Sequence, residues 1–375
     1  MNPTLQNEQL HGNHSAAFPG KYIQGEHAIN SLPDYIKLLG NHGLIISSPT
    51  PINKILPKDD LLKNEKGISI EEFSGECCEK ELSRLSAVIL SRKADVIVGV
   101  GGGKTIDTAK IVADRAGIPV IVVPTIASTD APCSGCAVIY SEQGVFESVS
   151  YQKMNPQIVL VDTTVIAAAP VRFLVAGMGD ALSTWFEARS CERSQSPNEC
   201  GGYSTMTGLS LARLCYDTLL RYGTAAKLAC ENRIVTPALD HIIEANTLLS
   251  GIGFESSGLA TAHAIHNGLS VLPETHMFYH GEKVAFGVLT GLHLTDAPME
   301  EMETVYAFCE ETGLPSTFSD IGIKDPNRAK LMEVALKACA PAEVIHHEAV
   351  RITPENVISA MIMADAMGRK RMMRP

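Results

Sequence analysis

Four of the twelve histidines fall between residues 263 and 280, in ESSGLATAHAIHNGLSVLPETHMFYHGEKVAFG. They are His263, His266, His276 and His280. Imidazole nitrogens suit zinc or ferrous iron. His263 and His266 stand three apart, so a helix sets them on one face. Ser256 or Ser257 is placed to cap that helix, which the spacing carries to about Val271. Pro273 breaks it, His280-Gly281 opens another, and the loop between can fold His280 back beside His263. A metal needs a further ligand, and a carboxylate is the usual addition. In GMGDALSTWFEAR, Asp180 follows a glycine-rich turn at the start of a helix, among apolar neighbours that make an uncompensated carboxylate costly. Asp180 lies 83 residues before His263, His280 lies 17 after it, and no compact motif links them. An N-capping aspartate with ordinary surface histidines is therefore the alternative reading.

A second constellation is VIVGVGGGKTIDTAK, a strand, then glycines, then a helix. Glycines let a backbone approach a ligand closely, and a helix N-terminus offers N–H groups and a positive dipole end, which together suit a phosphate. Two standard motifs nearly fit and fail. Walker A needs Gly at position 98, which is Val, and the Rossmann fingerprint from Gly99 needs Gly at 104, which is Lys. Four glycines among residues 99–103, followed by Lys104 and Thr105, exceed what a structural turn needs, and that turn remains the alternative. The next loop, TIASTDAPCSG (125–135), offers hydroxyls and Asp130 to a cofactor or polyol, as loops at the carboxyl ends of parallel strands do.

These residues need elements to hold them. GLIISS (43–48), DVIVGV (95–100), IPVIVVPT (118–125), CAVIYS (136–141) and QIVLVD (157–162) read as strands. Helical spacing fills 78–94 and 104–117 between them. Such alternation of Val/Ile-rich runs with helices predicts a parallel sheet covered on both faces, Rossmann-like. After Pro170 the pattern is helical throughout: 180–194, 201–222, 235–252, 257–271, 281–295, 299–312, 328–340 and 354–370. The reading is a flexible tail over 1–18, an α/β dinucleotide-binding domain over 19–170, and an all-α metal- and substrate-binding domain over 171–375. Residues 49–70, rich in Pro and Lys, stay unassigned.

The bulk chemistry agrees with a cytoplasmic enzyme. The chain has 375 residues, more than one core usually holds. Its net charge of −11 is spread along the chain, with no basic stripe, so nucleic acid is not an expected partner. The basic GRKRMMRP end reads as a solvated terminus. No apolar stretch suits a membrane, and the polar first residues lack a signal-peptide core. The ten cysteines fall in periodic apolar segments and read as free thiols; Cys133 and Cys136 form a lone CxxC, weak evidence for zinc or redox chemistry.

From PGKYIQG (19–25) to the C-terminus, with an interruption around 49–70, the chain resembles the glycerol dehydrogenases of the iron-containing, or group III, alcohol dehydrogenase superfamily. The blocks carrying the resemblance are GVGGGKTIDTAK, PTIASTDAPCS, GMGDALSTWFEAR, GFESSGLATAHAIHNGL and HGEKVAFG. It implies a dehydroquinate-synthase-like architecture, an α/β domain that binds NAD, and a helical domain with a divalent metal, Zn2+ or alternatively Fe2+. Carried over, Asp180, His263 and His280 ligate the metal and are the catalytic set. Gly101, Gly102, Gly103, Lys104 and Thr105 meet the cofactor, Gly103 and Lys104 at its pyrophosphate. Thr125, Ser128, Ser134, Cys136 and Tyr140 line the nicotinamide side, and Asp130 takes a glycerol hydroxyl. The implied reaction is reversible oxidation of glycerol to dihydroxyacetone, the metal acting as Lewis acid and hydride passing to nicotinamide. A homo-oligomer, often an octamer, is implied as well.

Two positions depart from the family pattern. Ser48 stands where an acid accepts the adenosine ribose, which weakens discrimination against NADP. Cys136 replaces an aliphatic residue. His266, the other candidate contact, is kept as an outer residue. Two alternatives remain. One is a dehydrogenase or reductase for another small diol or hydroxyketone. The other is a dehydroquinate-synthase-like lyase, disfavoured because only Lys283 and Arg189 stand near the ligands in sequence.

Overall fold

The computed structural model describes residues 12–56 and 67–373. Eight strands are present among them: β1 (Lys21–Gly25), β2 (Gly43–Ser47), β3 (Ile68–Glu72), β4 (Val96–Gly101), β5 (Val120–Pro124), β6 (Cys136–Tyr140), β7 (Phe146–Tyr151) and β8 (Ile158–Asp162). Six form one parallel sheet in the order β1-β8-β5-β4-β2-β3. The expected Val/Ile runs at β2, β4, β5 and β8 are its buried centre. One face, with Ile45, Val98, Val100, Ile121 and Leu160, packs on Ile29, Leu32 and Ile36. The other receives the helix Gly103–Ala116, so closely that a Cβ on Gly99 would lie 2.6 Å from the Ala109 methyl. The strand order reverses beside β4, because β2 leads outward to β3 whereas β4 leads the other way to β5. The carboxyl ends of β2, β4 and β5 thus stand side by side where such sheets bind ligands.

The run CAVIYS is a strand, but not of this sheet. β6 pairs antiparallel with β7, with an irregularity at Ile139/Tyr140. Its composition resembles that of the buried strands, and composition does not say which partner a strand takes. The unassigned 49–70 stretch holds the helix Pro49–Lys54 and the start of β3, while 57–66 lie outside the described residues.

The chain forms two compact units. The first comprises Ala17–Leu174 and Leu228–Gly251, so a helical segment returns to the sheet-bearing unit. That segment has the helix Pro237–Glu244 and a π-helical turn, Ala245–Leu249. The buried Asn246 there donates to the carbonyls of Ala127 (3.0 Å) and Leu174 (3.1 Å). The second unit comprises Val175–Lys227, residues 252–373 and residues 12–16. Within the expected tail, Ser15 donates its amide to Tyr203 O at 3.1 Å and Tyr203 returns one to Asn13 O at 3.0 Å; residues 1–11 lie outside the described residues.

The helical pattern expected after Pro170 appears as Val171–Ser194, Met206–Glu231, Ser250–Ser257, Thr261–Leu269, His280–Leu294, Met299–Thr312, Arg328–Ala338 and Pro354–Met372, with shorter pieces between. Among the described residues no helix is long and apolar enough to cross a membrane.

Candidate functional site

Two expectations about local structure are corrected at the histidine cluster. Asp180 does not open a helix; it lies inside Val171–Ser194. Ser256 and Ser257 do not cap the histidine helix, because both end the preceding helix, Ser250–Ser257. The helix Thr261–Leu269 starts after Ala260, whose own side chain makes no capping bond. Glu187 supplies that cap: its Oε1 accepts the amides of Ala260 and His263, each at 2.9 Å.

Glycines bring the ligand-bearing helices together. A Cβ on Gly281 would lie 1.8 Å from Ala176 O and 2.8 Å from Asp180 N, and one on Gly179 would lie 2.4 Å from Gly281 O. Only backbone fits at this crossing, and each glycine adjoins a candidate ligand. Asp180 Oδ1 is consequently 3.1 Å from His280 Nε2 and 3.6 Å from His263 Nε2. One donor atom from each of the three lies within 4.8 Å of the others.

The second nitrogen of each histidine is occupied. His263 Nδ1 meets Glu187 Oε2 at 2.6 Å. A carboxylate only accepts, so Nδ1 carries the proton and Nε2 offers its lone pair beside Asp180. His280 Nδ1 is 3.1 Å from His266 Nε2, and His266 Nδ1 is 3.1 Å from Asn267 Oδ1. Asn267 Nδ2 donates to Glu343 Oε2 at 2.9 Å. The terminal carboxylate sets the direction of every bond in this chain, which leaves His280 Nε2 bare as well. His266 therefore stands behind His280. His276 is apart, with Nε2 3.0 Å from Ser270 O.

Charge follows the same arrangement. Burial works to raise Asp180, but His280 and His263 hold its carboxyl well below the usual carboxylate range. Burial works to lower His263, and Glu187 with Asp180 nevertheless pushes it well above an ordinary imidazole. Burial, with His280 and Lys283 nearby, drives His266 well below the ordinary value. Once an ion displaces the proton that Glu187 and Asp180 favour on His263, two imidazole nitrogens and a fully buried carboxylate are a donor set that fits a divalent metal and leaves coordination positions open.

In the first unit the glycines stand at the carboxyl end of β4. Gly101 ends the strand, Gly102 caps the helix and Gly103 begins it. A Cβ at Gly101 would lie 2.7 Å from the Thr105 side chain, whereas one at Gly103 meets nothing within 4 Å, which leaves the helix N-terminus open to a ligand. Lys104 donates to Glu76 Oε2 at 2.6 Å and sits 5.0 Å from the centre of the Tyr140 ring. The Thr125 amide donates to Gly101 O at 3.0 Å, which ties the second loop to the first. Ser128 is half-buried, Ser134 is buried, and Cys136 Sγ donates to Ser134 Oγ at 3.4 Å. Asp130 Oδ2 accepts the Ser250 hydroxyl at 2.9 Å. Ser48 follows β2, half-buried, with no side-chain capping bond. All ten cysteines are thiols outside any disulfide.

Sequence reasoning missed Glu187, Asn267, Glu343 and Ser250. Glu187 carried a usable signal, since it follows Asp180 by seven residues and so shares its helix face. Glu343 and Ser250 are remote in sequence from what they touch, and Asn267, though next to His266, is tied down by Glu343 76 residues on.

Residues 19–163 match the model of the iron-containing alcohol dehydrogenases. The chain is 51% identical to a glycerol dehydrogenase of Thermotoga maritima over 94% of its own length and 97% of the relative's. It is 44% identical to a glycolaldehyde reductase of Halobacterium salinarum, again over 94% and 97%. The crystal structure of glycerol dehydrogenase from Schizosaccharomyces pombe superposes with a TM-score of 0.91 at 37% identity, covering 96% of this chain and 93% of that one. With such identity over nearly its whole length, an α/β unit and a helical unit that carries an Asp-His-His cluster, the chain belongs to the glycerol dehydrogenases of the iron-containing alcohol dehydrogenase family.

Proposed function

We propose that this chain catalyses the reversible oxidation of glycerol to dihydroxyacetone, with NAD as hydride acceptor and a divalent metal, zinc in preference to iron. The observation that carries the reading is the convergence of Asp180, His263 and His280, whose donor atoms lie within 4.8 Å of one another. The names of the relatives supply the substrate. A bound ion supplies Lewis-acid polarisation that lowers the pKa of an alcohol hydroxyl, and the nicotinamide supplies the hydride chemistry. The protein's own residues do the positioning. Asp180, His263 and His280 hold the ion, with Glu187 keeping Nε2 of His263 presented. The turn at Gly101, Gly102 and Gly103, with Lys104 and Thr105, receives the pyrophosphate. Thr125, Ser128, Ser134, Cys136 and Tyr140 line the nicotinamide. Asp130, steadied by Ser250, orients a polyol hydroxyl. Ser48 places no carboxylate at the end of β2, so NADP is admitted alongside NAD.

A second reading is favoured by the Halobacterium relative: reduction of a small hydroxyaldehyde by the same site. A cytoplasmic homo-oligomer, up to an octamer, completes the proposal. The test is absorbance at 340 nm with zinc-loaded protein, glycerol or another small diol, and NAD or NADP in turn. Reduced cofactor should form with glycerol, be lost on chelation and be absent in His280→Ala. No reduction with any small diol overturns the proposal, and full activity of His280→Ala after chelation overturns the metal assignment.

A further inference from the structure

Lys110 lies on the helix Gly103–Ala116, yet its side chain is only 1% exposed. A lysine on such a helix ordinarily keeps its ammonium in water, and burying it is costly without partners. Here the Nζ donates to the carbonyls of Ala131 (3.0 Å), Ser134 (3.2 Å) and Cys136. Three N–H groups meet three acceptors, so the donor capacity is used up. Asp107, one turn earlier, brings a carboxylate oxygen to 3.6 Å and balances the charge. Its other oxygen accepts the Val138 amide at 3.0 Å. Apart from the Lys110–Asp107 pair itself, these contacts fall on residues 131–138. That segment contains Ser134 and Cys136 and leads to Tyr140, all placed at the nicotinamide side under the proposed function, on which this inference rests. The helix that carries Lys110 is also the one whose first residue, Gly103, faces the pyrophosphate in that reading.

We propose that Lys110 is a positioning residue for the dinucleotide: its buried ammonium gathers the carbonyls of Ala131, Ser134 and Cys136 and fixes the nicotinamide loop relative to the glycine turn on the same helix. Lys110 does not touch the cofactor. It sets the spacing between two parts of the site that meet opposite ends of one ligand.

The test uses full-length, zinc-loaded protein and calorimetric titration with NAD, and with NADP for the unmodified chain. Lys110→Met alone strands the Asp107 charge, so the double variant Lys110→Met/Asp107→Asn is made beside it. Its neutral amide keeps an acceptor for Val138. The expected result is that the double variant melts lower, because three carbonyls lose their donor, but still unfolds cooperatively and retains zinc, while its dissociation constant for NAD, measured well below its melting temperature, rises on the order of 10-fold or more. Affinity for NAD equal to that of the unmodified protein overturns the inference alone, because Lys110 would then serve only stability. Failure of the unmodified protein to bind NAD or NADP overturns the cofactor reading and this inference with it.

Discussion

Glu187 decides which nitrogen of His263 faces Asp180. Its two oxygens divide the work, one accepting the amides of Ala260 and His263, the other the imidazole Nδ1 at 2.6 Å. Replacing it with glutamine preserves shape and an acceptor for the amides but puts an N–H group opposite Nδ1. The imidazole must then accept there and carry its proton on Nε2, where the metal needs a lone pair. Glu187→Gln is expected to fold normally and to weaken zinc binding about 10–100-fold in competition with a chelator. Zinc affinity equal to that of the unmodified protein would show that the tautomer is set some other way. Residue type and spacing point to a histidine cluster with a carboxylate, and the family resemblance chooses Asp180, His263 and His280 among the candidates. Glu187 shares the helix face of Asp180, seven residues on, but that spacing alone does not single it out, because a glutamate on a helix has many ordinary uses until its partner is in view.

At the level of elements, the helices Val171–Ser194 and His280–Leu294 approach through Gly179 and Gly281, which sit beside the candidate ligands Asp180 and His280. Gly281→Ala puts a methyl 1.8 Å from Ala176 O, so the crossing must widen and move His280 from Asp180. The expected loss is about 1–3 kcal/mol in urea melts together with weaker zinc retention. Unchanged zinc content would mean that the cluster does not depend on this contact. A different element, the helix Glu79–Arg92, is tied to the segment after β3 by Glu81, which accepts from Arg84 Nε at 2.7 Å and from the Ser74 amide at 3.0 Å. Burial works to raise Glu81, but Arg84 and Ser74 hold it below the usual range. A carboxyl with a lowered folded pKa stabilises above its unfolded value, about 4.3, and loses that contribution as pH falls through the folded value. Glu81→Gln should therefore cost about 1–2 kcal/mol at neutral pH, with the difference from the parent shrinking below about pH 4. A pH-independent difference would exclude the ionised carboxylate as its source. The central strands were legible because β2, β4, β5 and β8 are Val/Ile runs buried on both faces. β1 (KYIQG) and β3 (ISIEE) are the sheet's edges, half wet and mixed in composition, and neither period nor hydropathy marks them.

For the molecule as a whole, the change of pattern at Pro170 was readable, since β-branched runs stop there. The return of Leu228–Gly251 to the first unit was not, because a helical period says that a face is buried but not in which core. The consequence reaches the loop after β5. Asn246 donates to Ala127 O, Ser250 holds the Asp130 carboxylate, and Tyr22 on β1 shares a hydrogen bond of 2.9 Å with Thr247. A fragment that stops at residue 174 contains every strand of the sheet and every glycine of the turn, yet leaves these groups without their partners. Buried carbonyls and carboxylates that lose hydrogen bonds cost about 1–3 kcal/mol each, a large share of a domain's marginal stability. The fragment 17–174 is thus expected to lack a cooperative thermal transition and to show no calorimetric binding of NAD at concentrations that saturate the full chain. If it binds NAD as the full chain does, the returning segment is dispensable for the loop, and the positions of Ala127 and Asp130 must be fixed by the sheet and its own helices alone.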